Sequence, residues 1–197
     1  AKDGLTNELL IVQARPETVH SQKDRLHISE YTLLEKGEEI AKGEAIGSKI
    51  ASGIARVLPS SEYAYKVKQG DIVITELTSP DWDPILKKAA AIITDRGGRT
   101  SHASIVAREL GVPAIVGTGN ATQLIKDGDL ITVSCAEGKT GVVYKGNLKW
   151  KETSVDASRV RLPEYTAAML IVADPEKAFK LSMYPNGGVG LLRMEFI

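Results

Sequence analysis

The sequence predicts a mixed α/β domain with a layered or barrel-like sheet, followed by a single β-α-β unit. Two observations predict the first part. Short apolar segments rich in β-branched residues outnumber the short helical ones. Glycines at 43, 47 and 53 also sit among β-branched residues, as they do where strands bend or backbones approach closely. The second part follows from the tail, which reads strand, helix, strand.

The elements follow in chain order. Residues 8–16 (ELLIVQARP) form an apolar strand stopped by a proline, and the polar residues 17–23 form a linker. Residues 43–58 are a bent strand pair, and residues 70–76 (GDIVITE) a short strand. A loop over 78–84 (TSPDWDP) leads into a short helix over 83–89, with Asp83 and Pro84 at its N-cap and first-turn positions. Residues 90–94 (AAIIT) are a wholly apolar strand, and 95–100 (DRGGRT) a loop. Residues 103–110 form a helix with Ile105, Val106 and Leu110 facing inward, ended by Gly111 and Pro113. Three strands follow over 113–118, 129–134 and 140–144, with a helical turn at 121–125. In the tail, residues 169–173 and 189–197 are strands flanking a capped helix over 174–183, which makes them a parallel pair. Parallel strands are normally covered on both faces, and one pair cannot supply that cover. The expectation is a stretch cut from a longer polypeptide at both ends.

Composition excludes several function classes. Of 197 residues, 43% are hydrophobic and 25% charged, as in ordinary globular domains. Lys plus Arg and Asp plus Glu number 25 each, so no net field favours nucleic acid or an anionic membrane as partner. The lone cysteine, Cys135, has no partner for an intrachain disulfide and suits a reducing, cytoplasmic setting. It lies in an apolar strand and reads as core. No apolar run nears the ~20 residues of a membrane span, and the start of the chain shows no signal-peptide pattern.

The chemistry-bearing text lies at residues 94–117 (TDRGGRTSHASIVARELGVPAIVG). A buried strand ends, two glycines turn the chain, and a helix begins near Ser101 or His102. Unpaired N–H groups at a helix start behind a glycine turn suit an anion. Arg96 and Arg99 add positive charge, and Thr100 and Ser101 add hydroxyls that can cap or donate. The residue there able to act as a nucleophile near neutral pH is His102. The bland alternative is an ordinary capped helix with a surface histidine. His20 and His27 lie in the linker region and carry no argument.

Residues 97–117 (GGRTSHASIVARELGVPAIVG) resemble the signature of the phosphoenolpyruvate-utilising enzymes. That family includes phosphoenolpyruvate synthase, pyruvate phosphate dikinase and enzyme I of the sugar phosphotransferase system. The flanking text Asp81-Trp82-Asp83-Pro84 and residues 133–138 (VSCAEG) resembles the synthase branch more than the other two. Residues 12–18 (VQARPET) resemble the end of the synthase's ATP-grasp nucleotide domain, and residues 188–196 (GVGLLRMEF) an early strand of its pyruvate-binding barrel. One departure is Ile171, where relatives often place an asparagine.

The resemblance implies a layered β/β/α swivelling phosphohistidine domain over residues 24–150. Residues 1–23 would be the end of the ATP-grasp domain and a linker, and residues 151–197 a linker and the first β-α-β piece of a TIM-like (β/α) barrel. It implies that His102 takes the β-phosphoryl of ATP and delivers it to pyruvate. Magnesium would serve the nucleotide and pyruvate sites of the full-length enzyme and would not bind this stretch. Polar segments at 17–23 and 149–163 are the candidate hinges.

Gly97, Gly98, Arg99, Thr100 and Ser101 are the implied phosphate-site support. The glycines serve positive φ or close approach, or are a plain flexible turn. Arg99 steadies the phosphorylated ring or pairs with a surface carboxylate. Thr100 matches the threonine that a regulatory kinase/phosphorylase modifies, where a phosphate would inhibit by repulsion; otherwise it is a capping or phosphate-contacting hydroxyl. Gln13 and Arg15 match nucleotide-contacting positions, and Arg193 the arginine that holds the phosphate of phosphoenolpyruvate. The alternatives are a dikinase domain and a non-catalytic scaffold of the same fold.

Overall fold

The computed structural model describes residues 27–156, 162, 164–172, 178 and 181–192. Gln13, Arg15, His20, Arg193, the strand expected at 8–16 and the linker at 17–23 lie outside the described residues.

Seven strands close into a barrel: β2 (Glu39–Ile46), β3 (Ile50–Val57), β4 (Ile72–Thr75), β5 (Ala91–Thr94), β6 (Ala114–Val116), β7 (Leu130–Ser134) and β8 (Thr140–Lys145). Their order around the wall is β2-β6-β5-β4-β3-β7-β8, and β8 returns to β2. β3, β4, β5 and β6 are mutually parallel, whereas β7, β8 and β2 run antiparallel to their neighbours. Parallel neighbours need crossovers. The first is a 3-10 turn (Ser61–Lys66), the second the helix α1 (Asp83–Leu86), and the third α2 (His102–Leu110).

The wholly apolar text of β4 and β5 follows from this arrangement. Ile72, Ile74, Ala91 and Ile93 point into the barrel with Ile115, Ile131, Val133 and Val143. Val73 and Ile92 point the other way, into a second cluster with Trp82, Ile85 and Leu86 around α1 and Ala103, Val106 and Ala107 of α2. Strands buried on both faces lose the polar alternation of a half-buried strand. The helices pack against the outside of the closed barrel, which makes the expected mixed α/β domain with a barrel-like sheet.

Several local expectations are corrected. β2 and β3 are not a pair: β2 lies between β6 and β8, and β3 between β4 and β7. The helix expected over 83–89 spans only Asp83–Leu86, and its N-cap is Trp82 rather than Asp83. Ile105 does not face inward. It is 41% exposed, while Val106 and Ala107 are buried against the wall. One strand was not foreseen and another occupies text expected to be a polar linker. β1 (His27–Leu33) pairs antiparallel with β9 (Trp150–Asp156) in a separate ribbon. Tyr31 donates to Glu152 across it at 2.9 Å and tilts against Trp150. Both strands are polar on most positions, so neither shows an apolar period to read.

In the tail, β10 (Leu170–Val172) pairs parallel with β11 (Val189–Leu192), and Ala178, Leu181 and Ser182 are helical. Ile171, Val189, Leu191 and Leu192 are exposed. No helix of the described residues is long and apolar enough to cross a membrane. Cys135 is buried, donates to the Ala114 carbonyl at 3.3 Å, and its thiol is pushed up to about 12 by burial, as suits a core thiol.

Candidate functional site

The site forms where three parallel strands release their C-terminal ends, the usual place for ligand chemistry in such sheets. The chain after β4 carries Thr78, Asp81 and Asp83; the chain after β5 carries residues 95–101 and His102; the chain after β6 supplies Gly117.

The loop after β5 is tied down at its base. Asp95 N–H donates to the Thr75 carbonyl at 3.1 Å and Arg96 N–H to the Glu76 carbonyl at 2.9 Å. The buried Asp95 carboxylate accepts from the Thr118 hydroxyl at 3.0 Å, from Thr122 N–H at 3.2 Å and from the Thr122 hydroxyl. These bonds lock the chains after β4, β5 and β6 together. Sequence reading assigned Asp95 no role, because its partners lie 23 and 27 residues away.

The turn then depends on one glycine. Gly97 has φ +109, and a Cβ there would meet Ser101 Cβ at 2.9 Å. Its carbonyl oxygen would lie 2.9 Å from a Cβ on Gly117, itself at φ +70. Gly98 is different. It does not adopt positive φ, and an added Cβ would have an ordinary 3.7 Å contact with Glu44 Oε2.

Helix α2 begins at His102 with Ser101 as N-cap, and the Ser101 side chain makes no hydrogen bond to the helix N–H groups. Its hydroxyl instead lies 3.1 Å from the Ser104 hydroxyl, which donates to the Gly98 carbonyl at 2.7 Å. The side chain that could have satisfied the first-turn amides is thus engaged elsewhere, and those amides carry the positive end of the helix dipole. The other end closes on Gly111 in the left-handed conformation, as the sequence suggested.

The side chain of His102 is 23% exposed and held on both ring nitrogens. Nδ1 lies 3.0 Å from the Thr78 hydroxyl. Nε2 lies 3.1 Å from Asp83 Oδ1. That second contact is off the line of a hydrogen bond, so Oδ1 is buried without a hydrogen-bond partner although half of the Asp83 side chain meets solvent. Asp81 stands close enough for its charge to feel His102, but its carboxylate accepts from the Ser61 and Ser79 hydroxyls, which hold it below the usual carboxylate range. Thr78 and Asp83 escaped the sequence reading as site residues. Asp83 had a local explanation as a helix cap, which hid its second use.

Arg99 lies 3.6 Å from Glu44 on β2, and its carbonyl accepts from Arg108 at 2.7 Å. The guanidinium therefore has a carboxylate neighbour, the alternative that sequence left open. Arg96 pairs with Glu76 at 3.1 Å on an open surface. Thr100 is exposed, and the N-cap position falls to Ser101. Among the described residues no group of three or more His, Cys, Asp or Glu side chains stands together as a metal site.

Residues 67–138 match the family model described as "PEP-utilising enzyme, mobile domain". The span runs from the turn before β4 to the β7–β8 turn and includes Thr78, Asp83, Asp95 and His102. The whole chain is 53% identical to a phosphoenolpyruvate synthase of Aquifex aeolicus and 50% identical to that of Escherichia coli, covering 24% of each. It is 48% identical to the phosphoenolpyruvate synthase of Pseudomonas aeruginosa, covering 25%. The chain thus spans about a quarter of the length of the curated relatives it matches. Among solved structures it is similar to an enzyme I protein at 38% identity, with 40% of this chain and 33% of that one covered and a TM-score of 0.35.

Proposed function

Because the chain belongs to the PEP-utilising enzymes and carries their mobile domain, we propose that it is a phosphoryl carrier in which His102 bears the phosphoryl group. The longer protein is read as a phosphoenolpyruvate synthase, converting ATP, pyruvate and water to AMP, phosphoenolpyruvate and phosphate. One observation supports this above the rest. A partly exposed imidazole sits at the first position of a helix whose N-cap side chain leaves the first-turn amides alone.

The chemistry follows from the ring contacts. Thr78 hydrogen-bonds Nδ1, whereas the Asp83 contact at Nε2 is off the line of a hydrogen bond, and Nε2 is therefore the nitrogen assigned to the phosphoryl donor. Nε2 attacks the β-phosphorus of ATP, the bond from that phosphorus to the AMP oxygen breaks, and that oxygen keeps the electron pair. Water then takes the outer phosphoryl away as phosphate, leaving one phosphoryl on Nε2. In the delivery step the enolate oxygen of pyruvate attacks that phosphorus, and the Nε2–P bond breaks with its electron pair returning to the ring. Dividing one transfer into two lets a single side chain serve two separate substrate sites. The amides and dipole at the start of α2 favour the charge of the attached phosphoryl group.

The ATP-grasp domain, the (β/α) barrel, and the nucleotide and phosphoenolpyruvate contacts at Gln13, Arg15 and Arg193 belong to this proposal. So does magnesium, which would serve the nucleotide and pyruvate sites of the longer protein. Thr100, exposed two residues before His102, is where a regulatory kinase/phosphorylase would place a charge that repels the incoming group. The test uses the full-length protein with phosphoenolpyruvate labelled in its phosphate. Acid-labile label is expected on the wild type and none on His102→Ala. Equal labelling of the two would overturn the assignment.

A further inference from the structure

If His102 is the carrier, the Asp83 contact needs an explanation, because a carboxylate beside the receiving nitrogen opposes an incoming phosphoryl group. We propose that Asp83 is a positioning residue that holds the unphosphorylated ring with its hydrogen on Nε2, and so keeps Nε2 closed to phosphoryl until that contact opens. The inference rests on the carrier reading for its purpose, but its structural content can be read separately.

The argument begins with the ring. Nε2 lies 3.1 Å from Asp83 Oδ1, off the line of a hydrogen bond, so the carboxylate acts on the ring through its charge: it favours a hydrogen on the near nitrogen and disfavours a lone pair there. Nδ1 then accepts from the Thr78 hydroxyl, which can donate or accept equally well at 3.0 Å. In that arrangement neither nitrogen offers a free lone pair outward. Oδ1 is buried with no hydrogen-bond partner, so its charge is left to act on the ring edge 3.1 Å away.

Transfer needs the opposite arrangement. Nδ1 takes a proton from water as Nε2 gives one up to water, so the ring stays neutral, and the new Nδ1–H donates to the Thr78 oxygen. Nε2 then forms the bond to phosphorus. Once in place, the phosphoryl charge and the Asp83 charge repel each other, which excludes the resting contact. Asp83 therefore disfavours the phosphorylated state and makes the group easier to pass on. Asp81 lies nearby, but its carboxylate is already engaged by Ser61 and Ser79, so it does not serve in the same way.

Two measurements on the same protein test this. The first is the nitrogen NMR pattern of the His102 ring, assigned by its disappearance in His102→Ala. Wild type is expected to show an N–H type Nε2, and Asp83→Ala and Asp83→Asn to shift ring hydrogen toward Nδ1. The second uses phosphoramidate as a small chemical donor. Its P–N bond breaks, ammonia leaves, and a bond from Nε2 to phosphorus forms. Loss of one close charge should speed this labelling roughly fivefold, with the difference from wild type shrinking as salt rises. Asp81→Asn should change it less than about twofold.

An unchanged ring pattern in both Asp83 variants overturns the proposal, as does labelling that stays equal or slows. Failure of His102 to take label from phosphoenolpyruvate in the full-length protein would instead sink the carrier reading, and the ring pattern would still decide Asp83.

Discussion

Gly97 carries the turn that delivers His102 to the mouth of the site, and its neighbour does not. A side chain at Gly97 meets two costs together: a φ of +109, and a Cβ placed 2.9 Å from Ser101 Cβ. Ser101 is the N-cap of α2, so the displacement passes directly to His102. Gly97→Ala is expected to destabilise by about 1–3 kcal/mol and to reduce labelling of His102. Gly98→Ala, with an ordinary contact and no positive φ, is expected to stay within about 1 kcal/mol of wild type. Urea unfolding of both variants separates the two. A pair of glycines written side by side thus divides into one the backbone requires and one where a Cβ would be tolerated.

At the scale of the element, α2 must satisfy the barrel wall with one face and present His102 with its first turn. Ala103, Val106 and Ala107 make the buried face, three and four positions apart as a helix demands. Ile105 falls on the far side because the stripe is set by the Ala103 and Ala107 pair, whose small side chains let the helix lie close to β5 and β6. Val106→Ala should cost about 1.5–2 kcal/mol from lost burial and packing. Ile105→Ala, at an exposed position, should cost less than about 1 kcal/mol and leave phosphoryl transfer intact. Thermal or urea melts on the pair would show which face is seated.

At the scale of the whole molecule, closure of the barrel runs through β2. That strand meets β8 along residues 39–44 and passes to β6 along 44–46, and Gly43 sits opposite Gly141 at the crossing. A Cβ on Gly43 would reach 2.6 Å from the Val116 carbonyl, and one on Gly141 would reach 2.6 Å from Ile115 Cγ1. The first contact is with backbone and has little freedom to relax. Gly43→Ala is therefore expected to destabilise by more than about 2 kcal/mol and to loosen the β2–β6 seam, whose amides should lose hydrogen-exchange protection before those of β4 and β5. Uniform loss of protection across all seven strands would contradict this.

What the sequence determined by itself was local. The apolar runs of β4, β5 and β6, the helix ended by Gly111, the parallel pair of β10 and β11, and a histidine set at a helix start behind a glycine turn are all written in adjacent residues. Their physical causes act over a few positions, so a pattern along the chain records them. Tertiary structure alone decided the rest. Only closure of the barrel set β2 between β6 and β8 and left β2 and β3 unpaired. Only pairing across more than a hundred residues made strands of the polar β1 and β9. Only the meeting of the chain ends after β4 and β5 brought Thr78 and Asp83 to the two nitrogens of one ring. Those contacts come from chain distant in sequence, and no residue type foretells which partner it will face.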